Sequence, residues 1–234
     1  VIPVIASTNN VSCNGGNNGA INVTTSGGSP GYIYSWSPAA GNSSTASNLI
    51  AGTYTVTVTD LAGCTGTVTT TITQPNAISA PVANTSVTCN GLSNGTATVN
   101  ATGGTSPYTY SWLPTGGNGT TATGLSANLY SVTVTDQNGC TTVSTVTIAQ
   151  PTPITYTSSS TTATCGSSDG SASVVISGGI GPYTYSWSPS GATSASASNL
   201  AGGAYTVTVT DSRGCTTVAA VTVPNQNAAT ASIT

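Results

Sequence analysis

The cysteines of this chain keep a fixed step. Cys13, Cys89 and Cys165 are spaced by 76 positions, as are Cys64 and Cys140, and Cys215 follows Cys140 after 75. Trp36, Trp112 and Trp187 repeat with the cysteines, and so do Asp60, Asp136 and Asp211. The single-residue shortfall lies after Cys165, where CGSSDG stands in place of CNGGNNG and CNGLSNG. A self-similar period constrains the architecture before any local reading does. The 234 residues therefore read as three tandem units, each long enough to be a small domain.

Prolines set the boundaries. TITQPNAISA and TIAQPTPITY join successive units, and VTVPNQNAAT closes the third. The expected domains are residues 1–75, 76–151 and 152–226, with 227–234 a linker or the start of a further unit. Proline fixes φ and biases its predecessor away from helix, so these joints read as short and extended, and the array as an elongated rod.

Within a unit the hydrophobic period is two, never 3.6. After the NNG, SNG or SDG stretch, a strong type I′ hairpin signal, Ile21 and Val23 alternate with Asn22 and Thr24. Ala97, Val99 and Ala101 do the same in the second unit, and Ala172, Val174 and Ile176 in the third. GYIYSW and its two PYTYSW counterparts place Tyr32, Tyr34 and Trp36, Tyr108, Tyr110 and Trp112, and Tyr183, Tyr185 and Trp187 on one face each. Tyr54, Tyr130 and Tyr205 open the penultimate strand after an L-x-x-G-like turn, as in the tyrosine corner of immunoglobulin-like domains. The last strand of the second unit breaks parity between Val143 and Val146, which predicts a bulge. About six or seven short strands with closely spaced turns indicate an all-β fold: three immunoglobulin-like Greek-key β-sandwiches, each with one internal disulfide. The tyrosines and tryptophans are read as sandwich core; a sugar-stacking platform is the sharper alternative.

Composition removes whole classes of function. Charged residues are 2% of the chain, with one cationic side chain (Arg213), four aspartates, and no Lys, Glu or His; about 25% is ordinary. Phosphate neutralisation needs many cations, so nucleic-acid binding is excluded. No apolar run is long enough for a spanning helix, so membrane insertion is not expected. Acid–base or nucleophilic catalysis has no inventory to draw on, because no His, Lys or Glu exists to activate a serine. The Gly-rich SGGSPG, TGGTSP and SGGIGP stretches join strand to strand, whereas phosphate cradles need a helix N-terminus or a lysine. No cofactor and no metal is expected. Asp60, Asp136 and Asp211 begin tight turns (TDLAGC, TDQNGC, TDSRGC) that a glycine completes, and are read as turn caps. Calcium would want several carboxylates in one place. The chain lacks an initiator Met and a basic leader, and reads as a mature product or a segment of something longer.

Six cysteines allow 15 pairings. Repeat symmetry favours Cys13–Cys64, Cys89–Cys140 and Cys165–Cys215, each clamping its own small core. The rival, Cys64–Cys89 with Cys140–Cys165, would staple neighbouring units. Either implies an oxidising, extracellular compartment.

The ordered combination Cys-Asn-Gly, an Asn/Asp-Gly turn, SGG or TGG, PYTYSW, L-x-x-G-x-Y-T-V-T-V-T-D-x-x-G-C and a closing TITQP resembles the SprB-type repeat. GYIYSW in the first unit and LSANLYSV in the second depart from it in detail. The resemblance covers essentially the whole chain. It implies a stretch of a very large cell-surface or gliding adhesin of Bacteroidetes, exported by the type IX route.

Threonine on alternate positions explains how such strands stay wet: it is β-branched, and its hydroxyl faces water. The usual edge-guarding charges are absent, so either glycans keep chains apart or the surface associates. Seven sequons (Asn10, Asn22, Asn42, Asn84, Asn94, Asn100 and Asn118) are candidate glycosylation sites, with O-linkage to Ser or Thr favoured over N-linkage. The functional expectation is a non-enzymatic, charge-poor, protease-resistant stalk or fibre of an extracellular adhesin or surface filament. Its partners would be further copies of the same repeat, in a longer chain or by donating a strand to a neighbour, together with covalent glycans. The alternative is a carbohydrate-binding module that grips surface polysaccharide through loops and exposed aromatics.

Overall fold

The computed structural model describes residues 1–226; the expected linker at 227–234 lies outside the described residues. Eighteen strands and no helix are found there. The first repeat contributes β1 (Ile2–Asn9), β2 (Gly19–Ser26), β3 (Ile33–Ser37), β4 (Thr45–Leu49), β5 (Gly52–Thr59) and β6 (Thr65–Ile72). The second contributes β7 (Val82–Thr85), β8 (Gly95–Val99), β9 (Thr109–Leu113), β10 (Thr121–Leu125), β11 (Asn128–Thr135) and β12 (Thr141–Ile148). The third contributes β13 (Thr155–Thr161), β14 (Gly170–Ser177), β15 (Thr184–Ser188), β16 (Ser196–Leu200), β17 (Gly203–Thr210) and β18 (Thr216–Val223).

Each set of six forms two three-stranded sheets of the same order: β1-β2-β4 with β3-β5-β6, β7-β8-β10 with β9-β11-β12, and β13-β14-β16 with β15-β17-β18. The chain changes sheet after the second, third and fourth strands of each set, the crossing pattern of an immunoglobulin-like Greek key. The fold is three tandem immunoglobulin-like domains. Backbone contacts divide the chain into two compact units that share the middle repeat. One comprises Val1–Ala83, Thr98–Thr121 and Ser131–Thr145; the other comprises Asn84–Ala97, Ala122–Tyr130 and the described residues from Val146 onward.

Alternation builds the cores. In the first repeat Ile21, Val23, Trp36, Ala46, Leu49, Tyr54, Val56, Val58 and Ile72 cluster away from water. In the third, Ala172, Val174, Trp187, Leu200, Val207, Val209, Val221 and Val223 do so. The outward face of β5 pairs with β6 threonine to threonine, Thr53 opposite Thr71 and Thr55 opposite Thr69. Their hydroxyls hydrogen-bond at 3.2 and 2.9 Å. Such cross-strand pairs stabilise by a few tenths of a kcal/mol to about 1 kcal/mol each, which offsets the missing charge pairs on this surface.

Two local expectations are corrected. The expected bulge in the last strand is absent from the alternation: β12 exposes and shields residues strictly in turn, so Val143 and Val146 simply lie on opposite faces. The equivalent pairs β5–β6 and β17–β18 run without a register shift. The Asn-Gly stretches are not type I′ turns, which need positive φ at both central residues. Neither Asn18 nor Gly19 has it, nor do their counterparts Asn94 and Gly95 or Asp169 and Gly170. Glycine is there for closeness instead: a Cβ on Gly19 would lie 2.8 Å from the Leu49 carbonyl oxygen and 2.9 Å from Ile72 Cγ2.

Candidate functional site: the Asp–Cys turn and the bridge it carries

Asp60, Asp136 and Asp211 are buried and sit at the turn between the last two strands of each repeat. Asp136 Oδ1 accepts hydrogen bonds from the backbone N–H of Asn138 and Cys140, both at 2.9 Å. Its Oδ2 accepts from Thr105 N–H at 2.9 Å. Asp60 does the same with Ala62, Cys64 and Ser29, and Asp211 with Arg213, Cys215 and Ile180. Each carboxylate thus ties its own turn to the loop that follows the second strand.

That loop is the SGG or TGG stretch. Gly28, Gly104 and Gly179 hold φ of 77, 57 and 62°, and a Cβ on Gly104 would lie 2.7 Å from Asp136 Oδ2. The glycines that composition alone left without a role are therefore the floor beneath the carboxylate. The N–H donors lower all three pKa values. For Asp60 the Ser29 N–H is the largest influence. For Asp136 and Asp211 burial pushes upward most strongly, and the donors, with the Arg213 charge added at Asp211, outweigh it. Among the described residues no three His, Cys, Asp or Glu side chains gather as a metal site.

The bridges correct the expected pairing. Cys13 is bonded to Cys140 (Cα–Cα 5.6 Å) and Cys89 to Cys215 (Cα–Cα 5.6 Å). Cys13–Cys64, Cys89–Cys140 and Cys165–Cys215 do not form, and neither does the rival set; Cys64 and Cys165 are free and exposed. Geometry gives the reason. The turn at Cys64 precedes β6 and lies beside the chain start, since a Cβ on Gly66 would meet the Val1 carbonyl oxygen and Pro3 Cδ. The Cys13 loop lies beside the far end of β6, where Val11 N–H donates to the Thr73 carbonyl. An eight-residue strand separates them, roughly 25 Å at 3.3 Å per residue, whereas a disulfide tolerates less than about 7 Å between Cα atoms. The bond therefore goes from the start of one repeat to the Asp–Cys turn of the next.

Two further contacts hold each bridge in place. Asn14 Nδ2 donates to the Pro75 carbonyl at 3.0 Å and Gly15 N–H to Gln74 Oε1 at 2.8 Å. The same latch recurs as Asn90 to Pro151 at 3.0 Å and Gly91 to Gln150 at 2.9 Å. From the incoming turn, Asn138 Nδ2 reaches the Ser12 carbonyl at 3.1 Å. Beside each bridge lies an open groove with equivalent walls: Cys13, Pro75, Ile78 and Asp136 in one, Cys89, Pro151, Ile154 and Asp211 in the other.

The aromatics other than Tyr156, which is 39% exposed on β13, serve the interior. Trp36, Trp112 and Trp187 are buried, and each indole N–H donates at 2.9 Å to a carbonyl, of Ser43, Gly119 and Ser194. The hydroxyls of Tyr54, Tyr130 and Tyr205 donate to the carbonyls of Ile50, Ser126 and Ala201, four residues upstream. Tyr54 and Tyr130 are buried, while Tyr205 is half-buried against its core. Tyr32, Tyr34, Tyr183 and Tyr185 are half-buried against the cores, and Tyr108 and Tyr110 are shielded to the same degree. The hydroxyls of Tyr32, Tyr108 and Tyr183 close on Gly27, Gly103 and Gly178. All seven sequon asparagines (Asn10, Asn22, Asn42, Asn84, Asn94, Asn100, Asn118) are exposed. Asn84 and Asn94 donate from their amide nitrogens to the Thr147 carbonyl and Thr88 Oγ1.

A six-stranded sandwich with a buried third-strand tryptophan and a tyrosine corner, repeated three times, defines an immunoglobulin-like repeat protein. A family model gives a more particular likeness: that of the SprB repeat matches residues 5–41, 82–119 and 157–192, once in each repeat. No curated protein sequence matches the chain. Among solved structures it is similar to the eight N-terminal Ig domains of Down Syndrome Cell Adhesion Molecule isoform 1.30.30, at TM-score 0.41 and 15% identity, over 85% of this chain and 32% of that one. Sidekick-1 immunoglobulin domains 1–5 match at TM-score 0.36 and 14% identity, over 96% and 59%. Surface layer protein SbsC domains 4–9 match at TM-score 0.29 and 14% identity, over 96% and 47%. The chain thus spans about a third to three fifths of these chains' lengths, and its fold assignment rests on the strand order above.

Proposed function

We propose that this chain is a non-enzymatic structural stretch of an extracellular adhesin or surface filament, built from repeats 1–75, 76–151 and 152–226, whose task is to bear tension with little extension. The observation that carries this reading is the direction of the bridges. Because each runs from one repeat into the next, three covalent routes connect the two bridges: Cys13 to Cys89, Cys89 to Cys140, and Cys140 to Cys215. A pull on the ends is borne by the shortest route, the Cys89–Cys140 segment of the middle repeat. The other two stay slack even if their sandwiches melt.

The remaining features fit a durable strut. With 2% charged residues, stability owes little to ion pairs that salt would screen. A single Arg and no Lys leave trypsin-like proteases one point of attack, Arg213. The likeness to SprB repeats supports the surface setting, and among the described residues no helix is long and apolar enough to cross a membrane. Further copies of the repeat and Ser/Thr-linked glycans are the partners this reading takes. The carbohydrate-binding alternative would fall to the loops and to the exposed Tyr156, since the other aromatics are taken up by the cores.

Single-molecule pulling tests the proposal. The oxidised chain should reach only about a third of the contour length of the reduced chain, at roughly 3.5 Å per residue. Equal lengths before and after reductant would overturn it.

A further inference from the structure

Cys64 and Cys165 carry no bond and are exposed, yet each occupies a position that is bonded elsewhere in the same chain. Cys64 is the counterpart of Cys140 and Cys215, the Asp–Cys turn cysteines. Cys165 is the counterpart of Cys13 and Cys89, which receive them. We propose that Cys165 and Cys64 are complementary linkage sites, Cys165 of one copy of this chain bonding Cys64 of a second copy, so that chains join head to tail. The proposal rests on the reading that repeat-to-repeat bridges clamp the array, and it names the partner that continues the clamp.

The turn half-site is already formed, and the receiving half-site keeps its closing hydrogen bonds while Gly166 and Val223 replace the Asn–Gln latch. Cys64 N–H is held by Asp60 Oδ1 at 2.8 Å, and Cys140 and Cys215 are held by their aspartates at 2.9 Å. The closing backbone bond of the turn, Asp N–H to Cys carbonyl, is 3.0 Å at Cys64 and 2.9 Å at the two bonded turns. On the receiving side, Thr164 N–H donates to Asp169 Oδ1 at 2.8 Å. This matches Ser12 to Asn18 and Thr88 to Asn94, both at 3.0 Å, ahead of Cys13 and Cys89. A second bond closes each loop: Thr164 Oγ1 donates to Asp169 Oδ2 at 2.6 Å, where Asn18 and Asn94 instead donate to Ser12 and Thr88. What separates free from bonded cysteines is cover: the bonded Cys215 is 9% exposed, whereas Cys64 and Cys165 face solvent. An incoming repeat would supply that cover. Ala62 and Arg213 stand where Asn138 makes its cross-repeat bond, and Cys89–Cys215 forms without that asparagine, so the link at Cys64 does not depend on it.

The chemistry needs an oxidant, here a small-molecule disulfide such as oxidised glutathione. The Cys165 thiolate attacks one glutathione sulfur, forming a mixed disulfide and releasing one glutathione thiolate. The Cys64 thiolate of the second copy then attacks Cys165 Sγ, forming the interchain bond and releasing the second glutathione thiolate. Two protein thiols are oxidised and one glutathione disulfide is reduced to two thiols.

The test mixes two variants of the 234-residue chain, C64A and C165A, one lengthened by a tag, in a glutathione redox buffer. The expected product is the mixed dimer, in about tenfold excess over either homodimer, the bias that a docking preference of 1.4 kcal/mol confers. The unaltered chain should form a reducible ladder containing the Cys64–Cys165 peptide. Mixed dimer in statistical proportion, no dimer, or an intrachain Cys64–Cys165 bond would overturn the linkage while Cys13–Cys140 and Cys89–Cys215 still map as found. Mapped Cys13–Cys64 or Cys165–Cys215 peptides would overturn the clamp reading itself.

Discussion

Cys13 is bonded to Cys140, 127 positions further on, while Cys64, the partner within its own repeat, lies at the opposite end of β6. In the chain-entropy model a loop of that size restricts the denatured state by about 5 kcal/mol. The second bridge, with a separation of 126, overlaps the first, and overlapping constraints do not add. Reduction should therefore lower the melting temperature by about 10 °C or more, read by calorimetry with and without reductant. An unchanged melting temperature would mean that the bridges restrain nothing.

Gly104→Ala tests the floor beneath Asp136. The substitution meets two penalties at once, a φ of 57° and a Cβ 2.7 Å from the carboxylate oxygen. A loss of about 1–3 kcal/mol is expected from strain at such a position. The control is Gly91→Ala: its φ is 80° but nothing lies within 4 Å of the added atom, so it should cost less. Equal losses in urea titrations would remove the carboxylate contact from the account.

The pH profile follows from the same aspartates. Asp60, Asp136, Asp169 and Asp211 are all lowered in the folded chain: Asp60 by the Ser29 N–H first, Asp169 by the Thr164 side chain first, and Asp136 and Asp211 by N–H donors that outweigh burial. A depressed folded pKa contributes stability that is complete above the unfolded value, about 3.9. That stability is lost as pH falls through the folded value, because the unfolded chain takes up protons first. With no His or Glu in the chain, melting temperature should be level between about pH 5 and 7 and drop below about pH 4. Asp136→Asn should lower the plateau and shrink the acid drop. A variant with the same drop as the parent would show that the carboxylate charge is not the cause.

The sandwich was legible because its signals are local. Period-two alternation put Ile21, Val56 and Val58 inside, and the Tyr-x-Tyr-x-Trp spacing put Trp36 on the same side. The aspartate turns were legible too, since the donors to Asp60 Oδ1 lie two and four residues on. What escaped depends on the three-dimensional path. Repeat symmetry is satisfied equally by bonds within a repeat and by bonds to the next, so spacing could not tell Cys13–Cys64 from Cys13–Cys140. The deciding quantity, the length of β6 between the two loops, only has meaning once the strand is placed. Asn-Gly misled for a related reason: the pair signals positive φ, but here Gly19 answers to Leu49 and Ile72, residues 30 and more positions away.

Repeats one and two carry both Asn after the first cysteine and Gln before the proline; repeat three carries neither, having CGSS and VPNQ. The structure supplies the reason, since Asn90 bonds the Pro151 carbonyl and Gln150 bonds Gly91 N–H across one small loop. These are exposed bonds, so Asn90→Ala and Gln150→Ala should each cost about 0.5–1.5 kcal/mol. Because both hold the same loop, the double variant should cost less than the two together, with a coupling of at least about 0.5 kcal/mol in a double-mutant cycle. The loop carries Cys89, so the double variant should also close Cys89–Cys215 more slowly during oxidative refolding, while Cys13–Cys140, held by Asn14 and Gln74, closes at its usual rate. Quenched samples mapped by mass spectrometry read both rates in one experiment. Equal slowing of the two bridges would mean that the substitutions act on general stability rather than on the latch.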